Sequence, residues 1–380
     1  MTASRLAGFG TTIFTEMSAL AERTGAINLG QGFPDEDGPA QLLEAAAAAI
    51  RDGANQYAPL AGVPALRQAI AEHQRRMYGL EVDPDAGVQV TFGATEALAA
   101  ALLGLLEPGD EVIILDPSYD AYGAAVALAG GVRRTVSLHP PDWGLDPDAL
   151  RAAVGPRTRA LVLNTPHNPT GKVFSRDELA LIAGVCREHD LVAIADEVYE
   201  HLVFDGEHVP LATVDGMAER TLTLSSLGKT FSCTGWKVGW ATGPEDLVTA
   251  VRSAKQYLTF AGATPFQHAG ADALGLADGW YAGLAGALRE RRDRLCAGLA
   301  AAGLEVLVPQ ATYFANALVE GDGAAFCREL PERCGVVAIP TGVFYADPDI
   351  GRRLVRFAFC KRPEVIDEAA RRLARGLGTG

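Results

Sequence analysis

The feature that most constrains the fold of this chain is an alternation of short apolar runs with longer amphipathic runs, which starts near residue 88. The short runs predict buried strands, and the longer ones predict helices. Strands that alternate with helices favour an α/β fold, in which a largely parallel sheet carries helices on both faces. The predicted strands are 88–92, 111–115, 132–138, 160–163, 191–195, 221–225 and 238–241, and the predicted helices are 95–106, 119–129, 147–154 and 176–189.

Beyond about residue 275 the pattern changes. A long helix rich in Ala, Leu and Arg is predicted at 281–302, and a closing helix at 363–377. Short predicted strands lie between them, at 305–308, 313–319 and 354–359. This order is typical of a smaller α+β unit. We therefore predict an N-terminal arm with part of the small domain at 1–40, a large domain at 41–275 and a C-terminal small domain at 276–380.

Composition argues against several classes of protein. The formal net charge is −14, from 33 basic and 47 acidic residues, which disfavours nucleic-acid binding. No apolar run approaches the length of a membrane span and no signal peptide is recognisable, so we expect a cytoplasmic protein without a membrane partner. The six cysteines are scattered, without Cys-x-x-Cys pairs or metal-site spacing, which predicts reduced thiols and no metal.

Unusual polar residues follow five of the predicted strands, at the points where those strands end. In parallel α/β sheets, ligands bind beyond the carboxyl ends of the strands. We therefore expect the five segments to meet at one edge of the sheet and to form a binding site there. The segments are 93–95, 116–119, 164–171, 196–199 and 225–229.

Lys229 has the most specific chemistry in these segments. It follows an apolar run and lies among small residues, where a desolvated amine can form a Schiff base. Taken alone, however, it is more typical of a surface lysine, because most lysines are exposed. Asp196 directly follows a buried strand, so its carboxylate needs a cationic partner such as a pyridinium nitrogen. Cys233 has no accompanying histidine or asparagine that would indicate a nucleophile, and we interpret it as a packing residue.

The segment 93–95 opens a predicted helix, where free backbone N–H groups and the helix dipole would hold a phosphate. A simple N-cap at Thr95 is the alternative. Ser226 and Lys237 can add a hydroxyl and a positive charge to the same site. Asn168 and Tyr199 can present an amide and a phenol, although a turn asparagine and a core tyrosine remain alternatives.

Together the segments closely resemble the fold type I aminotransferases that use pyridoxal 5′-phosphate (PLP), in the branch of the kynurenine, glutamine and methionine aminotransferases. The resemblance spans about residues 27–361. It implies the PLP-dependent transferase fold type I, with a mostly parallel seven-stranded sheet in the large domain and a smaller α+β domain. It is carried by INLGQGFPD, ANQYAPLAGVPALRQAI, TFGATEAL, DEVIILDPSYDAY, LVLNTPHNPTGKVFS, IADEVYEHLVF, LSSLGKTFSCTGWKVGW and LVRFAFCK.

The resemblance also implies roles for individual residues. Lys229 would hold the cofactor as a Schiff base and later move the substrate α-proton, while Asp196 would pair with the pyridine nitrogen. Tyr199 and Asn168 would hydrogen-bond the phenolic oxygen of the cofactor, and Tyr119 would stack on its ring. The implied phosphate ligands are Ala94, Thr95, Ser226, Lys237 and, from the partner subunit of a homodimer, Tyr57. The implied substrate ligands are Gly32, Asn168 and Arg356, of which Arg356 would grip the α-carboxylate.

The resemblance therefore predicts ping-pong transamination of an amino acid with a 2-oxo acid in a homodimer with shared active sites. No second arginine lies in a recognisable motif for a side-chain carboxylate, and aromatic residues are expected around the mouth of the site: Phe14, Tyr57, Tyr257 and Phe260. Methionine, phenylalanine or kynurenine are thus the expected donors. Three alternatives remain: a cysteine-S-conjugate β-lyase, an N-succinyl-diaminopimelate aminotransferase, which needs a cation for a distal carboxylate, and a non-catalytic effector-binding module.

Overall fold

The computed structural model describes residues 3–10 and 12–378. Residues 1–2 and 11 of the predicted N-terminal arm and residues 379–380 of the predicted C-terminal domain lie outside the described residues. Short 3-10 helices occur at Ser4–Leu6, Leu211–Thr213, Thr234–Trp236 and Thr341–Phe344. The α-helices are α1 (Ile13–Thr24), α2 (Ala40–Arg51), α3 (Pro64–Tyr78), α4 (Gly93–Leu105), α5 (Asp120–Leu128), α6 (Pro147–Ala152), α7 (Arg176–Glu188), α8 (Leu227–Thr230), α9 (Glu245–Leu258), α10 (Thr264–Leu274), α11 (Asp278–Ala301), α12 (Gly323–Cys334) and α13 (Pro363–Leu377).

The strands form one large sheet, one smaller sheet and a short pair. They are β1 (Ile27–Asn28), β2 (Val88–Phe92), β3 (Glu111–Asp116), β4 (Val132–Ser137), β5 (Thr158–Asn164), β6 (Val192–Asp196), β7 (Thr221–Ser226), β8 (Val238–Thr242), β9 (Glu305–Leu307), β10 (Phe314–Leu318), β11 (Val336–Val337), β12 (Ile339–Pro340) and β13 (Leu354–Ala358).

The large sheet has seven strands in the order β2-β8-β7-β6-β5-β3-β4. The strands from β7 to β4 run parallel to their neighbours, whereas β8 is antiparallel to both β7 and β2. The predicted α/β fold with a mostly parallel seven-stranded sheet is therefore confirmed. The predicted strands and helices lie at the expected places, with ends that differ by three residues or fewer.

Burial on both faces explains why the central strands are so apolar. Val112 and Ile114 of β3 join the core under α4 and α9, whereas Ile113 and Leu115 join the core under α7. Side chains alternate between the two faces of a strand, so a strand that is covered on both sides reads as a continuous apolar run. At the edge of the sheet, β4 alternates between exposed and more buried positions instead.

The small unit contains a four-stranded sheet in the order β12-β13-β10-β9, whose strands are antiparallel to their neighbours. It shares one core with α11, α12 and α13 and with the N-terminal residues Met17 and Leu29. The short strands β1 and β11 pair in parallel and tie these parts of the chain together. Tyr199, which follows β6, belongs to the same core, so this packing brings the small unit against the carboxyl edge of the large sheet. The exact domain boundaries stay a prediction.

The structure also contains helices that the alternating pattern did not predict. The helix α3, for example, begins with Pro64 in its first turn and ends at Gly79, which has a left-handed φ of 67°. Both are recognised signals of a helix start and a helix end. Within the described residues, no helix is long and apolar enough to cross a membrane. All six cysteines, including Cys233, are buried and carry free thiols.

Candidate active site

A cavity of about 390 Å³ lies where the carboxyl ends of β5, β6 and β7 meet the small unit. The residues predicted for the site or its mouth line it, except Tyr57, Tyr257 and Phe260. The Tyr57 side chain is instead 79% exposed on the surface of its own chain. The predicted residues that the cavity brings together are Gly32, Ala94, Thr95, Tyr119, Asn168, Asp196, Tyr199, Ser226, Lys229, Lys237 and Arg356.

Lys229 lies in the short helix α8, immediately after β7, and its amine approaches two tyrosine rings. Its Nζ atom is 5.7 Å from the ring centroid of Tyr199 and 5.8 Å from that of Tyr313. Burial lowers the pKa of the Lys229 amine from its ordinary value, an effect that the Asp196 carboxyl partly opposes. A larger fraction of this amine is therefore neutral and nucleophilic than for a solvated lysine.

Asp196 is the last residue of β6, and its carboxylate is buried. One carboxylate oxygen, Oδ2, accepts a hydrogen bond of 2.7 Å from the Tyr122 hydroxyl. Burial raises the pKa of Asp196, and the bond from Tyr122 opposes that rise. No lysine, arginine or histidine in the described part of the chain lies within 4.0 Å of this carboxylate. A buried carboxylate in that situation is suited to a cationic ligand.

Asn168 is held by hydrogen bonds that tie the loop after β5 to the end of β6. Its backbone N–H donates to Oδ1 of Asn164 at 2.7 Å, and the Asn164 amide donates to the backbone oxygen of Asp196 at 2.8 Å. The Asn168 side-chain oxygen accepts from the Arg356 guanidinium at 2.9 Å. Asn168 thus links the large sheet to the small unit across the cavity.

The tyrosines of the cavity are fixed by edge-to-face contacts. The Tyr199 ring lies 5.4 Å from that of Tyr313, and the Tyr119 ring lies 5.8 Å from that of Tyr122, both pairs being close to perpendicular. Burial raises the pKa of the Tyr199 phenol, so it remains a protonated hydrogen-bond donor at neutral pH.

The start of α4 and Lys237 form the third corner of the cavity. Gly93, the first residue of α4, has a left-handed φ of 72°, and a Cβ atom there would lie 3.2 Å from the Lys237 Nζ atom. The ammonium group therefore approaches the first turn of the helix, where backbone N–H groups have no helical partners. Ala94, Thr95 and Ser226 line the same corner. The combination of free N–H groups, a hydroxyl and a cation is typical of an anion site.

Arg356 lies at the opposite end of the cavity, on β13, and is 1% exposed. One guanidinium nitrogen donates to Asn168 and another to the backbone oxygen of Gly30, at 3.1 Å. The Nε atom is buried and has no partner within the described residues. Burial lowers the pKa of Arg356 to about 10, which still leaves it charged at neutral pH.

Three phenyl rings surround the guanidinium. Its central carbon lies 4.0 Å from the ring centroid of Phe314, 4.9 Å from that of Phe344 and 5.3 Å from that of Phe14. Gly32 lies against the same group of rings, and a Cβ atom there would come within 2.5 Å of the Phe314 ring. A glycine is therefore required at this position if the rings are to keep their places.

The lining residues to which the sequence assigned no individual role include Tyr122, Asn164 and Phe314. Tyr122 lies one helical turn after Tyr119, a spacing that places both on one side of α5 and that could have indicated it. Asn164 ends β5, at the same edge of the sheet as the predicted residues. Phe314 has no comparable local signal, because its position depends on the packing of β10 against the large domain.

Comparisons with known proteins agree with this geometry. Residues 24–373 match the family "Aminotransferase class I and II". The chain is 55% identical to a Mycobacterium tuberculosis protein named probable N-succinyldiaminopimelate aminotransferase, over 98% of each chain, and 44% identical to the methionine aminotransferase of Escherichia coli, over 97% of each. A solved structure of N-succinyldiaminopimelate aminotransferase from Mycobacterium tuberculosis superposes with a TM-score of 0.97 at 55% identity, covering 99% of this chain and 100% of that one. This chain therefore belongs to the class I and II aminotransferases, the fold type I enzymes that use PLP to transfer amino groups between amino acids and 2-oxo acids.

Proposed function

We propose that this aminotransferase takes its amino group from an amino acid with a neutral side chain, sulfur-containing or aromatic, and passes it to a 2-oxo acid in a ping-pong reaction. The observation that carries the proposal is the meeting of Lys229, Asp196 and Arg356 in one cavity. Beyond Lys229, Lys237 and Arg356, no lysine or arginine in the described part of the chain lines that cavity.

The side chains present fit PLP at three points. Asp196 is a buried carboxylate without an ion-pair partner, which suits the pyridinium nitrogen. The corner formed by the start of α4 and Lys237 suits the phosphate. Lys229 offers an amine with a lowered pKa. When bound, PLP supplies a carbon that condenses with amino groups and a conjugated ring that accepts the electron pair released at the substrate α-carbon.

In this proposal the residues around the cofactor hold and polarise it. Asp196, oriented by Tyr122, keeps the ring nitrogen protonated. Tyr199 and Asn168 would hydrogen-bond the phenolic oxygen, and Tyr119 would stack on the ring. Ala94, Thr95, Ser226 and Lys237 bind the phosphate, with the partner subunit's Tyr57 as the last ligand.

Two residues act directly on the substrate. The Lys229 amine accepts the proton from the substrate α-carbon, a role for which a neutral nitrogen in a desolvated site is suited. Arg356 binds the α-carboxylate, helped by Gly32 and Asn168, because its guanidinium is buried, charged and only partly hydrogen-bonded. Together they select α-amino acids and place the α-hydrogen toward the lysine.

The preference for neutral side chains rests on the lining of the cavity. Phe14, Phe33, Tyr119 and Phe314 contribute apolar surface, and the three cations have other proposed partners. Burying a side-chain carboxylate here without a cation would be strongly unfavourable. Methionine, phenylalanine and kynurenine all satisfy this requirement.

A second candidate donor is N-succinyl-diaminopimelate. It is favoured by the 55% identity to the Mycobacterium tuberculosis relative, which covers 98% of each chain. Its distal carboxylates would need cations from outside the cavity lining of a single chain, for example from the partner subunit.

A panel of amino donors with 2-oxoglutarate as acceptor tests the two candidates against each other. We expect kcat/KM for methionine, phenylalanine or kynurenine to exceed that for N-succinyl-LL-diaminopimelate by about tenfold or more. The reason is that burying a carboxylate without a cationic partner costs several kcal/mol of binding free energy. The reverse order would establish the second candidate. A cysteine S-conjugate assayed for pyruvate and ammonia without any 2-oxo acid separates β-elimination from transfer.

We also propose that the enzyme is a homodimer whose subunits complete each other's sites. Tyr57 is exposed and packs edge-to-face on Phe260, with ring centroids 5.6 Å apart. Tyr257 and Leu258 beside them are 85% and 48% exposed, so these side chains form an uncovered apolar surface.

Mixing two defective variants tests the shared site. In a hybrid of Lys229→Ala with Tyr57→Ala, one site has both a native Lys229 and a native Tyr57 from the partner. We expect mixing, dissociation and reassociation to raise activity at limiting PLP above the mean of the two variants. Activity equal to that mean would show that Tyr57 serves its own chain or none.

A further inference from the structure

A cluster of buried histidine and carboxylate side chains lies outside the cavity and has no part in the proposed transamination. His73 comes from α3, and Glu200 and His201 come from the segment after β6; His73 is 2% and Glu200 6% exposed. The Nε2 atoms of the two histidines are 2.8 Å apart. Oε2 of Glu200 lies 4.0 Å from Nε2 of His201, and one ligand atom from each residue lies within 4.8 Å of the others.

The two imidazoles face each other through nitrogens that can share only one proton. At a separation of 2.8 Å the two Nε2 atoms share one hydrogen, so at least one of the two rings is neutral. In a neutral imidazole one nitrogen donates and the other accepts. One Nε2 atom of the pair therefore carries a lone pair that points into the cluster, and Nδ1 of His73 is buried without a partner within the described residues.

Glu200 supplies a carboxylate oxygen beside these nitrogens. Oε1 accepts a hydrogen bond from Ser225 at 2.6 Å, and Oε2 accepts one from Tyr78 at 2.7 Å. Each carboxylate oxygen accepts one hydrogen bond and so keeps a lone pair that a metal ion could use.

We propose that His73, Glu200 and His201 form a binding site for one divalent transition-metal ion, for which Zn²⁺ is the best match. Two neutral imidazole nitrogens and one carboxylate oxygen are a ligand set that zinc accepts, with a fourth position open to water. Neutral imidazoles and an ionised carboxylate are also the protonation states that bind metal. The ion would balance the charge of Glu200.

The cluster needs only small movements to hold the ion. Metal–ligand bonds of about 2.0–2.2 Å place tetrahedral ligands about 3.3 Å apart. The two Nε2 atoms would therefore separate by about 0.5 Å, and the Glu200 oxygen would approach the Nε2 atom of His201 by about 0.7 Å. The hydrogen on one Nε2 atom would move to Nδ1 of the same ring. The ion would reach the cluster from solvent past His201, whose side chain is 9% exposed.

The surroundings of His73 limit the expected affinity. A metal-binding imidazole is usually fixed by a hydrogen bond from its other nitrogen, and losing such a bond weakens metal binding by about 10- to 100-fold. Nδ1 of His73 has no such partner within the described residues. We therefore expect binding that is saturable and specific but weaker than in structural zinc sites.

Equilibrium dialysis of the PLP-loaded enzyme against Zn²⁺ tests the site. We expect the unmodified enzyme to bind one ion per protomer. His201→Phe and His73→Gln should each bind Zn²⁺ at least about tenfold more weakly. The phenyl ring keeps the contact with Tyr281, which lies 4.3 Å from the His201 ring. The matched control is His189→Ala, because His189 is an exposed histidine that also lies 4.0 Å from a glutamate oxygen, that of Glu188; it should bind as the unmodified enzyme does.

Cobalt provides an independent readout that does not depend on a variant folding correctly. Co²⁺ bound to the unmodified enzyme by nitrogen and oxygen ligands in tetrahedral geometry should give visible d–d absorption, which Zn²⁺ should abolish by competition. The proposal is overturned if these bands are absent or if no Zn²⁺ binds. It is also overturned if His201→Phe or His73→Gln, each still able to bind PLP, binds Zn²⁺ as tightly as the unmodified enzyme does. It is equally overturned if His189→Ala removes the binding.

Discussion

The two ends of the cavity are built in different ways. The lysine end, defined by Asp196, Ser226 and Lys229, comes from the carboxyl ends of the adjacent strands β6 and β7 and the turn that follows β7. The arginine end, defined by Phe14, Gly32, Phe314 and Arg356, comes from segments that are far apart in the chain. The register of one sheet therefore positions the lysine end, whereas the packing of the small unit positions the arginine end.

The two ends also differ in how their polar groups are satisfied. At the lysine end, Asp196 is held by Tyr122, and the Asn164 amide ties the neighbouring loop to the strand. At the arginine end, the Arg356 guanidinium lies among phenyl rings with its Nε atom unpartnered within the described residues. We infer that the lysine end is prepared for chemistry on the cofactor and the arginine end for recognition of a carboxylate. This difference can be tested by substitutions at each end.

The largest effect is expected for Lys229→Ala, which removes the proposed attachment point and the proposed base together. Transamination should fall by about 10⁴-fold or more, because the loss of a positioned proton acceptor alone accounts for up to about that factor. Borohydride treatment of the PLP-loaded enzyme, followed by mass spectrometry, should attach the cofactor to the unmodified chain and not to the variant.

Lys237→Ala is the contrasting variant for that experiment. It removes a cation of the same cavity, so it should weaken cofactor retention but leave the covalent attachment intact. The assignment of the lysine end would be contradicted if the cofactor became covalently attached to the Lys229→Ala chain. It would also be contradicted if only the Lys237→Ala chain failed to become attached to the cofactor.

Asp196→Asn should have the next largest effect. Removing one partner of a buried ion pair costs about 3–5 kcal/mol, so the transamination rate should fall by about 10²- to 10⁴-fold at saturating PLP. Tyr122→Phe removes only the hydrogen bond to this carboxylate, and about 1 kcal/mol corresponds to a loss of about fivefold. Single-turnover absorbance measurements report both rates. Equal losses in the two variants would mean that Asp196 acts through Tyr122 rather than on the cofactor.

Arg356→Lys tests the arginine end. Lysine keeps a charge but loses the planar fork that binds a carboxylate through two hydrogen bonds, so kcat/KM for amino acids should fall by about 10²-fold, mainly through KM. Reaction with an amine that lacks the carboxylate should change little. Arg353→Lys, an exposed position on the segment before β13, is the control. A fall in kcat with KM unchanged would show that Arg356 contributes to the chemical step and not to binding of the carboxylate.

The same difference between the ends explains what could be predicted from the sequence. The central strands β3, β5 and β6 contain continuous apolar runs with polar residues at their ends, so local patterns indicated both the sheet and the position of Asp196. Lys229 stands at such a strand end too, and the cavity contains both. Local patterns suffice here because parallel strands bring their carboxyl ends to one edge.

The arginine end left no comparable local signal. Arg356 lies in the middle of β13 and entered the prediction only through the family resemblance. Phe314 was not assigned at all, because the phenyl ring reaches the cavity only through the antiparallel pairing of β10 with β13 and the packing of that sheet. The cluster of His73, Glu200 and His201 was missed for a similar reason, since α3 and the segment after β6 are remote in sequence.

Among the substitutions at the arginine end, Phe14→Ala should give the smallest effect, and one that depends on the donor. If the phenyl ring contacts the substrate side chain, removing it should lower kcat/KM for methionine and phenylalanine by about tenfold, in the range expected for a hydrophobic contact worth 1–3 kcal/mol. Alanine, which is too short to reach the ring, should be transaminated within about twofold of the unmodified rate.

The control for that substitution is Phe9→Ala, which removes a phenyl ring that is 45% exposed in the same N-terminal segment. It should leave every donor unaffected. The alternative is that Phe14 acts through Arg356, whose guanidinium carbon lies 5.3 Å from its ring centroid. In that case all donors, alanine included, would lose the same factor in kcat/KM, because all carry the α-carboxylate. A uniform loss would therefore assign Phe14 to carboxylate binding, and a selective loss would make it a determinant of side-chain specificity.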